Sequence, residues 1–187
     1  MLVISVQLEI DYNIFRNKEA HMNNDEIKSL VETLDSEDYS VHEAARYTLI
    51  QLGSPAVPDL LEMLKSEKDH TRWEVVKTLA GIKDPASAPA LVELLIDDSI
   101  EVHWAASEAL IGLGGKAIIP LLQGITRHFD SYRFRQGAYH VMHTLENLHA
   151  LDPESQKVLE SLRSLEPGVS APWAAQAALE ILKGNQK

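Results

Sequence analysis

The chain has 187 residues, 45% of them hydrophobic, a formal net charge of −11 and no cysteine. That charge disfavours nucleic acid and anionic membrane as partners, because their affinity for a protein comes largely from Lys and Arg displacing counterions. The lack of Cys excludes a disulfide framework, thiolate metal sites and a cysteine nucleophile, and it fits a cytoplasmic protein in which one domain buries a continuous core.

Residues 1–23 read as an N-terminal extension. Ile4, Val6, Leu8, Ile10, Tyr12 and Ile14 alternate with Ser5, Gln7, Glu9, Asp11 and Asn13, which is the period of a strand. No basic n-region precedes this stretch, and the polar residues interrupt it before a signal-peptide core forms. A lone strand has three outlets: pairing through its edge, capping the first repeat, or remaining an unordered leader.

From residue 24 onward the chain echoes itself five times: Val41-His42-Glu43-Ala44-Ala45, Thr71-Arg72-Trp73-Glu74-Val75, Val102-His103-Trp104-Ala105-Ala106, Phe134-Arg135-Gln136-Gly137-Ala138 and Ala171-Pro172-Trp173-Ala174-Ala175. The last residues of these segments are 30, 31, 32 and 37 apart, a period of stacked supersecondary units. Before each echo lies a second apolar set: Leu30-Val31 with Leu34, Leu60-Leu61 with Leu64, Leu91-Val92 with Leu95, Leu121-Leu122 with Ile125, and Val158-Leu159 with Leu162. Each unit is therefore predicted to be a hairpin of an A helix and a B helix, with repeats at 24–53, 54–83, 84–114, 115–151 and 152–184. Asn24, Ser54-Pro55, Asp84-Pro85, Gly115 and Asp152-Pro153 stand where A helices start. Asp35 to Asp38, Ser66 to Asp69, Asp97 to Ser99 and Asp130-Ser131 form the turns that start B helices. Gly112-Leu113-Gly114-Gly115-Lys116 lacks the Ser or Thr of a phosphate loop and aligns with Leu52-Gly53-Ser54, so it reads as a helix terminator.

These units resemble HEAT repeats, above all those of the phycobilin-lyase-like subgroup, and residues 102–122 (VHWAASEALIGLGGKAIIPLL) carry the likeness most closely. The resemblance implies an all-α, right-handed α-solenoid of about five helical hairpins, and a chaperone that holds an open-chain tetrapyrrole (bilin) or a phycobiliprotein. Repeat four departs from the pattern: Leu145 to Leu151 lengthens it, and Gly137 replaces the small Ala of the neighbouring units.

With 41, 44, 45, 48, 49 and 52 and their equivalents facing the core, the other B-helix positions form an outward stripe. All three Trp, Trp73, Trp104 and Trp173, share one repeat position on that stripe. They form either a ladder that grips a partner or ligand or a set of packing residues. Tyr47 and Tyr139 flank them. Arg72, His103 and Arg135 occupy the family's Arg position, where they either pair with acidic turns or add a basic stripe beside the Trp residues. His140 and His143, three apart on a helix, offer two imidazoles but no third ligand. His42-Glu43 resembles the pair from which the HEAT-repeat enzyme deoxyhypusine hydroxylase builds a di-iron site, but it occurs once, so that shell is missing. No metal is assigned from sequence.

The leading expectation is a non-enzymatic interaction or scaffold module that binds another protein or peptide on the concave B-helix face through Trp73, Trp104, Trp173, Tyr47 and Tyr139, with Arg72, His103 and Arg135 setting register, and without a cofactor. The alternative is the bilin chaperone implied by the resemblance. A third reading is an immunity or regulatory protein that blocks a basic effector with its acidic convex face. Oligomeric state is not fixed by the sequence.

Overall fold

A computed structural model describes residues 22–184. The strand-period segment of residues 1–21 lies outside them. Ten α-helices follow one another: α1 (Asn24–Glu32), α2 (Tyr39–Leu52), α3 (Val57–Met63), α4 (Asp69–Ile82), α5 (Ala88–Glu93), α6 (Ile100–Leu113), α7 (Ile118–Arg127), α8 (Tyr132–Asn147), α9 (Pro153–Leu162) and α10 (Pro167–Gly184). Odd-numbered members are the A helices and even-numbered members the B helices, giving an all-α solenoid.

Local chemistry sets the boundaries. Asn23, one residue earlier than expected, caps α1 in a reciprocal box with Glu26, satisfying two backbone N–H groups at once. Asp38, Ser99 and Ser131 cap α2, α6 and α8 through their side chains, and Asp152 caps α9. The start of α4 differs: Lys68 has no oxygen to offer and gives no side-chain cap. At the C-termini of α2 and α6 the chain reverses through Gly53 and Gly114, both at positive φ. The apolar stretch Ile100–Arg127, 28 residues long, is therefore two antiparallel helices.

Both apolar sets turn inward. Leu91, Val92, Leu121, Leu122, Ile125, Val158 and Leu159 of the A helices, with Leu95 of the turn after α5, meet Leu49, Val75, Leu79, Ala106, Leu110, Ala138 and Met142 of the B helices in one continuous core. The first B helix departs from the expected frame. Val41 and Ala44 are exposed, whereas His42 is buried. The His42 ring turns in to reach the carbonyl of Ser36 in the preceding turn.

The B helices stack in series through four hairpins. α2 packs on α4, α4 on α6 and α6 on α8, while α1 packs on α3 and α5 on α7. The fifth hairpin exchanges its layers: α10 lies along the A helix α7, and α9 lies beside the B helix α8. The segment Leu148–Asp152, with His149 at φ 55, supplies the extra chain that lets the hairpin turn over.

Candidate binding face

The first echo position is a capping device. The last carbonyls of each A helix and its turn have no intrahelical partner. His42 bonds the Ser36 carbonyl, Arg72 those of Ser66 and Glu67, His103 that of Leu95, and Arg135 that of Phe129. A donor at this position therefore closes each of the first four hairpins, while the fifth has Pro172 there.

For the proposed basic stripe this is a correction. His103 is 3% exposed and presents nothing to a partner. Burial holds its imidazole below the ordinary histidine pKa, with the Leu95 carbonyl pulling the other way, so it is the neutral ring. Nδ1 then donates to Leu95 and Nε2 is left without a protein partner. Arg72 makes two 2.8 Å bonds to Asp97 of the next repeat, which raise its pKa. Such a cation ties repeats together rather than reaching outward.

The aromatic residues remain available. Trp73 is half-buried, with Lys77 Nζ 4.0 Å from its ring centroid and His70 6.3 Å away. Trp104 is 38% exposed and meets His103 and His140 edge-on at 5.2 and 5.0 Å. Trp73 and Trp104 are thus each paired with histidine, and no contact joins these two indoles among the aromatic pairs of the described residues. His70 and Trp73, with Asp69, Ser99 and Glu101, line a depression of about 250 Å³.

Tyr47 is well exposed on α2. Tyr139, half-buried on α8, stacks on His143 at 5.5 Å, with Arg163 beyond its ring. Trp173 is 76% exposed. It sits on α10, in the A layer, and so does not continue the row of Trp73 and Trp104. The layer exchange behind Trp173 is invisible to a repeat alignment.

His140 and His143 do not converge. His140 bonds Glu108 at 3.0 Å, while His143 faces Arg163 and Glu146. A different cluster was missed by reading along the chain: His42, His70 and Glu74 bring one ligand atom each to within 4.8 Å of one another. Its members are 28 and 4 residues apart, and only the packing of α2 on α4 joins them.

Known proteins share this architecture. Residues 27–111 match the family model for HEAT repeats. A curated relative, "Bilin biosynthesis protein RpcF" of Synechococcus sp. (strain WH8020), is 40% identical over 72 residues, 38% of this chain. The match spans about a third of that relative's length (34%). Among solved structures, the complex of CpcE and CpcF of phycocyanin lyase from Nostoc sp. PCC7120 aligns with a TM-score of 0.54 at 23% identity, covering 83% of this chain and 99% of the matched one.

Proposed function

We propose, the chain being a HEAT-repeat protein of the phycobilin-lyase-like kind, that it works as a bilin-lyase-like chaperone, holding an open-chain tetrapyrrole or its phycobiliprotein on the B-helix face. The observation that carries this reading is the 40% identity to a bilin biosynthesis protein. It is preferred to a scaffold without ligand because the likeness lies with proteins named for bilin chemistry.

The face has suitable chemistry. Trp73 and Trp104 give flat apolar area, and Lys77 beside Trp73 supplies a cation for a propionate. A depression of about 250 Å³ is too small to enclose a tetrapyrrole, since drug-sized ligands occupy about 300 Å³ or more. The ligand would lie along the face, covered on its other side by a protein partner. A second chain, as in the CpcE–CpcF complex, or the phycobiliprotein itself fits that place. Any contribution to catalysis would then come from positioning, which is worth several kcal/mol in a well-aligned complex.

The test is titration of a phycobilin into the full chain, with and without apo-phycobiliprotein, following visible absorbance and tryptophan emission. A saturable spectral shift with quenching, weakened in the Trp73→Ala, Trp104→Ala variant, is the expected result. No shift together with no capture of phycobiliprotein would refute the reading. Capture of the protein without any spectral change would favour a docking module that binds no pigment.

A further inference from the structure

His42 is fixed by Nδ1, 3.0 Å from the Ser36 carbonyl oxygen. A carbonyl only accepts, so Nδ1 carries the hydrogen, and in the neutral ring Nε2 presents a bare lone pair. That lone pair meets Glu74 Oε1 at 3.5 Å, with the two residues 5% and 1% exposed. Acceptor faces acceptor inside the protein. Such an arrangement holds only with a cation between the two groups or a proton on Nε2.

A third group, His70, stands beside this pair. It projects from the start of α4 so that its ring centroid lies 5.3 Å from that of His42, and its ligand atom joins the other two within 4.8 Å. We propose that His42, His70 and Glu74 form a binding site for a divalent transition metal of the zinc or cobalt class, clipping the first B helix to the second. Ligand atoms about 2.1 Å from a tetrahedral ion stand roughly 3.4 Å apart, and the His42–Glu74 pair already has that separation. His70 is exposed, and its ligand atom lies within 4.8 Å of those of the other two.

The surroundings are those of a ligand set. The bond from His42 Nδ1 to a backbone carbonyl is the usual orienting contact of a metal-bound imidazole. Glu74 Oε2 is held at 2.6 Å by Arg46, leaving Oε1 for the ion. Arg46 is also 3.6 Å from Glu43, so one guanidinium faces two carboxylates and the cluster keeps negative charge for a cation. His70 lines the depression beside Trp73, which gives the ion a route from solvent. This site is independent of the bilin reading.

Cobalt(II) is the probe, added to the full chain while following its d–d absorption and the quenching of tryptophan emission, since His70 lies 6.3 Å from Trp73. One equivalent of Co²⁺ should give a saturable tetrahedral-type band that zinc displaces, and zinc should raise the melting temperature. His70→Ala, an exposed substitution that leaves the buried Glu74–Arg46 pair intact, should weaken cobalt binding by at least about tenfold. Absence of a saturable band in the wild type would overturn the proposal and leave His42 and Glu74 as an ion pair. Equal binding by His70→Ala would overturn it too, placing the ion on other histidines such as His140 or His143.

Discussion

Gly137 is set by close approaches from two side chains. A Cβ there would stand 2.9 Å from His103 Cε1 and 3.0 Å from Leu95 Cδ2, with both neighbours buried. Gly137→Ala should therefore destabilise the protein by about 1 kcal/mol, the overpacking of 1–3 kcal/mol outweighing the helix-propensity gain of Ala. In a His103→Ala background, where only the Leu95 approach remains, the same substitution should cost less, which a pair of urea titrations would read directly. Lys83 is the opposite case. It holds φ 57 at the end of α4, where α2 and α6 have Gly53 and Gly114, so Lys83→Gly should raise stability by about 0.5–1 kcal/mol in thermal melts.

His103 also predicts a pH dependence. Its folded pKa is lowered from 6.5, burial being the main cause, with Arg133 and His140 adding to it and Asp97 opposing. The unfolded chain thus binds the proton more readily than the native one. Its contribution is complete above about pH 6.5 and is lost as pH falls toward the folded value. The acidic groups held below their usual range, Asp35 by Lys68 and Thr71 and Glu146 by Arg163, act in a separate, more acidic window. Urea midpoints should fall between pH 7.5 and pH 5, and His103→Asn, which keeps a donor for the Leu95 carbonyl, should flatten that slope. An unchanged slope would remove His103 as the cause.

Between elements, charged side chains bridge successive repeats. Arg46 reaches Glu74 across α2 and α4, Arg72 reaches Asp97 at the turn before α6, Arg127 and His128 reach Glu93 between α7 and α5, and Arg163 reaches Glu146 between α9 and α8. The exposed pairs are worth little, about 0–1 kcal/mol each. The Arg72–Asp97 pair is different, its side chains being 14% and 7% exposed, and Arg72 also caps the α3 turn. Arg72→Ala should cost about 3 kcal/mol because it strands a carboxylate and two carbonyls. Replacing Asp97 as well should cost less than the sum of the single changes, the signature of direct coupling in a double-mutant cycle. This linkage was half legible in the sequence. The acidic turns and the basic position recur visibly, but the choice of Asp97, one repeat onward, depends on the stacking offset.

At the scale of the whole molecule, periodicity made the hairpins legible, because each apolar set recurs at the helical spacing that a two-layer stack must bury. It failed wherever one hairpin breaks translation. A repeat alignment puts Trp73, Trp104 and Trp173 in one row, whereas the exchange of layers after α8 carries Trp173 into the A layer on α10. The His42, His70 and Glu74 cluster escaped for the related reason that ligands from adjacent repeats meet only in space. The three tryptophans consequently have different expected weights in binding. If the B-helix face holds the bilin or its protein carrier, Trp73→Ala and Trp104→Ala should each cost about 2 kcal/mol of affinity, the scale of a hot-spot aromatic, whereas Trp173→Ala should leave affinity unchanged although Trp173 is the most exposed of the three. Equal losses for all three variants in the same titration would place the binding surface across both layers, and the fifth hairpin would then belong to the site.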